Sequence, residues 1–166
     1  MGHAIISNDK ESKKIPLKIM IVENEICLTH LYYFILDKHL SPLTCSIFYD
    51  PSSGKDAIKA LKEGHRPDFA ILDIRLNGVN GIDVFKELRK VSQVPVIFLT
   101  AMSDKDEEFQ EACFAVGKEN VIRKDQIKFF NDILPKIPNV KEYLRCMVGN
   151  CLKGDGHACQ MHQAIK

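Results

Sequence analysis

The chain has 166 residues, of which 45% are hydrophobic and 27% charged, and its 23 basic and 22 acidic side chains leave a net charge of +1. The length suits one ordinary domain with a short appendage, and the composition suits a globular fold with a real core. The balanced charge argues against a dedicated nucleic-acid binder, which would carry a basic excess, and no apolar run approaches the roughly 20 residues of a membrane span.

Residues 1–15 open with Met1-Gly2-His3 and are polar or charged throughout 7–14. They read as a flexible leader without the apolar core of a signal peptide, so a cytoplasmic location and reduced thiols are expected. Five apolar runs then alternate with helical patterns. Leu17 to Val22 precedes a helix from Asn24 to about Lys38, and Leu43 to Phe48 precedes one from about Ser53 to Lys62. Phe69 to Leu72 precedes a helix from about Gly81 to Lys90, and Val94 to Leu99 one from about Lys105 to Ala115. Val121 to Arg123 precedes a helix from about Gln126 to Leu134, which Pro135 and Pro138 end.

Strands alternating with helices predict an α/β fold, a doubly wound parallel sheet with helices on both faces. The runs are continuously apolar, as in strands buried on both sides. Phe109, Ala112, Cys113 and Val116 recur at helical spacing and should face the sheet. Pro42, Pro67 and Pro95 stand at or near strand starts, where a missing N–H is tolerated. A last helical segment, about Val140 to Val148, leads into Gly149 and a polar tail. The expected organisation is a leader over 1–15, one domain over 16–137, and a helix with a tail over 138–166. That last piece is too short for an effector domain with its own core.

Ligands of an open parallel sheet sit outside the carboxyl ends of its strands. Those ends carry Glu23 and Asn24, then Asp73, then Thr100 and Ala101, then Lys124. Each type has a role in phosphorylating a carboxylate. Asp73 would be the nucleophile, since carboxylates form acyl phosphates. Glu23 and Asn24 would help hold Mg²⁺, which takes oxygen ligands and offsets charge on a transferring phosphoryl group. The Thr100 hydroxyl and the Lys124 ammonium would bind the phosphoryl oxygens. Alone, an Asp after a strand is more often a turn residue or a cap, and a strand-end Lys is more often solvated. The ordered set is what carries the reading.

The stretches K-I-M-I-V-E-N-E, P-D-F-A-I-L-D-I-R-L-N-G-V-N-G, V-P-V-I-F-L-T-A and V-I-R-K-D resemble the receiver domain of the two-component response regulators, the CheY-like superfamily. The resemblance spans about residues 16–135. It implies a flavodoxin-like (βα)5 sheet of order 2-1-3-4-5. It implies a phosphoprotein in which Asp73 accepts a phosphoryl group as an aspartyl phosphate, from a sensor histidine kinase or a histidine phosphotransfer protein. It implies Mg²⁺ held by Glu23, Asn24, Asp73 and the backbone carbonyl of Arg75. Thr100, the Ala101 backbone and Lys124 would bind the phosphoryl group and switch a surface built by the fourth helix, fifth strand and fifth helix. That surface would meet a downstream protein or a second copy, with no direct nucleic-acid or membrane contact.

The departures are specific. Asn24 replaces the family's usual second acid, so Mg²⁺ binding is expected to be weakened. Asn77 stands where the family usually has Pro. Asp125 follows Lys124 in place of a cis proline; a cis bond there would cost roughly 2.5–4 kcal/mol, and Asp125 could instead cap the fifth helix. Val121 replaces a rotating aromatic, and Arg75 and Met102 occupy the two variable positions that control water access.

Cys27, Cys45 and Cys113 lie in apolar segments and are expected as small core residues. Cys146, Cys151, His157, Cys159 and His162 could supply a tetrahedral Zn²⁺ site in the tail. Their spacing is not that of a standard finger, and a tail with incidental thiols competes with that reading. Three functions follow. The leading one is a phosphorelay signalling receiver and not an enzyme. Asn24, Val121 and Asp125 motivate the alternative of a phosphorylation-independent protein-interaction module. An aspartate phosphatase is disfavoured, because Arg75 occupies the place of the second acid such enzymes typically carry two residues after the nucleophile.

Overall fold

A computed structural model of the chain describes residues 17–40, 46–49, 53–125 and 132–137, with 46–49 and His39 as backbone. Five strands, β1 (Leu17–Val22), β2 (Ser46–Tyr49), β3 (Phe69–Asp73), β4 (Val96–Thr100) and β5 (Val121–Arg123), form one sheet of order β2-β1-β3-β4-β5. All its pairings are parallel, with Ile19 opposite Phe69, Leu72 opposite Phe98 and Thr100 opposite Arg123. Four helices connect the strands: α1 (Ile26–Leu40), α2 (Gly54–Lys62), α3 (Gly81–Val91) and α4 (Glu107–Val116). Among the described residues no helix is long and apolar enough to cross a membrane.

Every residue of β3 and β4 is buried, which explains their uninterrupted apolar sequence. Alternate residues divide between two cores. Met20, Val22, Ala70, Leu72 and Phe98 pack on the side of α2, α3 and α4. Ile19, Ile21, Phe69, Ile71, Ile97 and Leu99 pack with Tyr32, Leu36 and Leu40 of α1 and with Ile133, Leu134 and Ile137. Phe109 and Ala112 are buried in the first core and Cys113 and Val116 pack against it, so the spacing of those four identifies the inner face of α4.

Local chemistry sets the helix starts. Ser53 caps α2 by accepting the Asp56 N–H at 3.2 Å while its hydroxyl donates to the Asp56 carboxylate at 2.7 Å. Asn80 caps α3 by accepting the Asp83 N–H at 2.9 Å. α4 begins at Glu107, two residues later than the sequence suggests, because Asp106 turns back to accept the Ser103 N–H at 2.8 Å. α1 begins at Ile26, since Glu25 already offers its carbonyl to the Leu28 and Thr29 N–H groups. The fifth helix expected from about Gln126 to Leu134 lies mainly outside the described residues; Leu134–Lys136 is a short 3₁₀ turn. Residues 1–16 and 138–166, with the expected leader, last helix and tail, also lie outside them.

Asp68 closes the amino end of the sheet. Its carboxylate accepts the Lys18 N–H at 2.9 Å, and its own N–H donates to the Lys18 carbonyl at 2.8 Å. Asp68→Ala removes the first bond and is expected to cost about 1 kcal/mol. A fall in the urea midpoint at constant slope would register that loss, and an unchanged midpoint would show that water replaces the carboxylate at no cost.

Candidate functional site

The parallel register brings the carboxyl ends of β1, β3, β4 and β5 to one edge of the sheet, and the side chains beyond them meet there. The Lys124 ammonium lies 2.7 Å from Glu23 Oε2 and 2.8 Å from Asp73 Oδ2, with Glu25 Oε1 at 3.8 Å. The Glu23 and Asp73 side chains are only 2% and 6% exposed, and that of Lys124 12%. Each carboxylate uses its second oxygen locally: Glu23 Oε1 accepts the Glu25 N–H at 3.1 Å, and Asp73 Oδ1 accepts the Arg75 N–H at 3.2 Å. Two buried carboxylates therefore share one ammonium, which leaves an excess negative charge.

Titration behaviour follows from that count. Burial pushes the Glu23 carboxyl above the usual carboxylate range, against the hydrogen bonds from Lys124 and the Glu25 N–H. Neighbouring Asp73 adds to the upward push. Burial would by itself make Lys124 easier to deprotonate, but its hydrogen bonds to Asp73 and Glu23 outweigh this and hold it above its ordinary value.

Thr100 is fully buried at the end of β4. Its hydroxyl oxygen accepts the Met102 N–H at 3.1 Å, and its carbonyl accepts the Lys124 N–H at 2.8 Å. Hence Glu23, Asp73 and Lys124 are brought together directly, and Thr100 joins them through the backbone. Asn24, Arg75 and Ala101 are exposed at the rim. Met102 is buried in the core beside Phe109 and Ala112, so of the two variable positions only Arg75 is open to solvent. The Lys124–Asp125 peptide is trans, and the Asp125 carboxylate receives Arg123 at 3.0 and 2.7 Å.

Three contributors escaped the sequence reading. Glu25 adds a third carboxylate at the rim, 64% exposed. Tyr32 is buried in α1, and its hydroxyl is pushed up to about 12 by burial, with Lys124 opposing and Glu23, Asp73 and Glu25 adding. Gly81 lies so close beneath the site that a β-carbon there would stand 1.9 Å from the Asp73 carbonyl oxygen. Its N–H donates to the Ile74 carbonyl at 2.8 Å. One expectation is corrected: Cys27 is exposed on the first turn of α1, because that helix is apolar on both sides and sequence alone does not say which side faces the core. Cys113 is half-buried, and Cys45 lies outside the described residues.

The donors at the site are carboxylate oxygens with an amide and backbone carbonyls nearby, and the pocket carries excess negative charge. That chemistry fits a hard cation of the Mg²⁺ kind, which needs only one or two carboxylates beside water and phosphate. Among the described residues no group of three or more His, Cys, Asp or Glu could hold a metal ion by itself. Cys146, Cys151, His157, Cys159 and His162 lie outside those residues.

Residues 19–129 match the family described as Response regulator receiver domain. The transcriptional regulatory protein AfsQ1 of Streptomyces coelicolor is 43% identical over 53 residues, which are 32% of this chain and 23% of that protein. A CheY-like response regulator receiver domain protein from Methanospirillum hungatei superposes with a TM-score of 0.62 at 15% identity, over 78% of this chain and 99% of that one. The response regulator TrrA from Thermotoga maritima, solved in complex with Mg²⁺ and BeF, gives a TM-score of 0.53 at 23% identity, over 78% of this chain and 96% of that one. At these identities the structural likeness is one of fold.

Proposed function

The chain belongs to the response regulator receiver domain family, and from that premise we propose that Asp73 accepts a phosphoryl group from a histidine kinase or a histidine phosphotransfer protein. The observation that carries this is the Glu23–Lys124–Asp73 cluster: a buried carboxylate at a strand end that shares one ammonium with a second buried carboxylate.

In the proposed step an Asp73 carboxylate oxygen attacks phosphorus. The bond from phosphorus to the donor's imidazole nitrogen breaks, and that nitrogen keeps the electron pair. Mg²⁺, when bound, would neutralise charge on the transferring group. Glu23, Asn24, Asp73 and the Arg75 carbonyl would hold it, as the family resemblance implies, and TrrA, alike in fold, is a protein solved with Mg²⁺. Lys124 would exchange its contact with Asp73 for one with a phosphoryl oxygen. Thr100 would give up the Met102 N–H and turn its hydroxyl toward the same group, with the Ala101 N–H beside it. Release of that N–H frees the loop after β4, and this coupling is the proposed switch. The output would be a protein contact on the α4 side, where Phe114 is 95% exposed, with a downstream protein or a second copy as partner. The receiver would occupy 16–137, and 138–166 would form an appendage.

Intact mass after incubation with acetyl phosphate and Mg²⁺ tests the reading. The expected result is a gain of roughly 80 Da that is absent in Asp73→Asn and absent with EDTA. No gain at high Mg²⁺ or with a phosphorylated histidine donor would sink it and leave the phosphorylation-independent interaction module, which Asn24 favours.

A further inference from the structure

Three carboxylates surround the Lys124 ammonium, and they do not stand alike. Glu23 and Asp73 are buried and hold it at 2.7 and 2.8 Å. Glu25 stands 3.8 Å away, and its side chain is 64% exposed. An ammonium has three N–H donors, and the buried pair uses two of them. The distance to Glu25 is too long for a hydrogen bond, but a shift of about 1 Å closes it. The backbone of Glu25 is meanwhile fixed. Its N–H donates to Glu23 Oε1 at 3.1 Å, and its carbonyl accepts the Leu28 and Thr29 N–H groups at 2.9 and 3.1 Å.

Both short contacts of Lys124 are to groups that the proposed function puts to another use. Glu23 and Asp73 would hold Mg²⁺, and Asp73 would take the phosphoryl group, so the inference rests on that reading. With the metal held and no phosphoryl group yet attached, Lys124 loses both partners. Its side chain is only 12% exposed, so water alone solvates the charge poorly. Asn24 brings no charge to the rim. Glu25 is then the one further carboxylate in ion-pair contact with Lys124 among the described residues. We propose that Glu25 is the alternative seat of the Lys124 ammonium in the metal-loaded pocket. It takes the ammonium over from Glu23 and Asp73 and keeps it beside the site until a phosphoryl oxygen receives it. Glu25 is thus a positioning residue that acts through Lys124. Without it the ammonium stays on the buried carboxylates and competes with the metal for them.

Mg²⁺ affinity tests this, measured by calorimetric titration of the full chain with no phosphoryl donor present. Glu25→Gln, at an exposed position where folding is not at stake, should weaken Mg²⁺ binding about two- to fivefold, the range an exposed ion pair spans. Glu25→Asp keeps the charge with a shorter reach and should restore part of the loss. The decisive comparison is made in a Lys124→Met background, where Glu25→Gln should change the affinity by less than about 1.5-fold. A carboxylate that only adds its charge to the pocket would matter equally with and without Lys124, so an equal loss in both backgrounds would overturn the proposal. An unchanged affinity in Glu25→Gln alone would overturn it too, and that arm does not depend on how well Lys124→Met folds. Mg²⁺ binding by the wild type with no effect of Glu25 defeats this inference alone. A wild type that binds no Mg²⁺ defeats the metal reading beneath it, and this inference with it.

Discussion

Gly81→Ala is expected to destabilise the domain by about 3 kcal/mol, at the upper end of what overpacking costs. The reason is space. Gly81 opens α3 directly against the end of β3, and the added β-carbon would meet the Asp73 carbonyl oxygen at 1.9 Å, its carbon at 2.9 Å and Ile74 Cα at 3.3 Å. All three are backbone atoms, which cannot swing aside as a side chain would. Relief requires α3 to move away from β3 or Asp73 to shift, and either weakens the Gly81 N–H bond to the Ile74 carbonyl. Urea unfolding at fixed pH measures the cost. A change below about 0.5 kcal/mol would mean that the strand end is far softer than its packing implies. The proposed phosphorylation of Asp73 should slow in the same variant, because the nucleophile's own backbone is what must give way.

Lys124→Met should lower stability at pH 7 by about 2–3 kcal/mol, since it removes the one ammonium that, among the described residues, two buried carboxylates share. The pH dependence identifies the cause. Lys124 is held above its ordinary value in the fold, so its contribution is complete below the unfolded value near 10.5 and fades only as pH rises through the higher folded value. Glu23 is raised by burial, so the charged form is penalised at neutral pH and relieved as pH falls through its raised value. The gap between wild type and variant should therefore be widest near pH 7 and shrink toward pH 4, as Glu23 takes up a proton. Thermal unfolding at both pH values would show this. A gap that widens in acid would mean that lost packing of the lysine stem, rather than lost charge, sets the cost.

The strands and the strand-end site were legible in the sequence for one physical reason. A parallel sheet buried on both faces demands continuous apolar runs, and whatever polar residue interrupts a run must stand at an edge. Asp73 and Glu23 each follow such a run directly, and Lys124 follows the short edge strand Val121–Arg123. The outer contacts were less legible. Cys27 was expected in the core and is exposed, because α1 has apolar residues on every side and so loses the periodicity that identifies the inner face of α4. Gly81 reads in sequence as a loop glycine; its close approach to Asp73 depends on how α3 docks against β3, which periodicity does not encode. Tyr32 reads as one apolar residue of α1 among many, and only its burial beneath the pocket puts its hydroxyl under the influence of Glu23 and Asp73.

The two outer strands are the shortest in the sheet, with four residues in β2 and three in β5, against six in β1. Short edges offer few unpaired N–H and C=O groups to an incoming strand. At β5 the Arg123 and Asp125 side chains are already locked to each other, and the Lys124 N–H is spent on Thr100. Strand addition, one way for a peptide to read a sheet edge, therefore has little template among the described residues. The same economy guards against edge-to-edge aggregation. Recognition is left to side chains displayed by the helices, a surface that can change by substitution without disturbing the hydrogen-bonded frame beneath it.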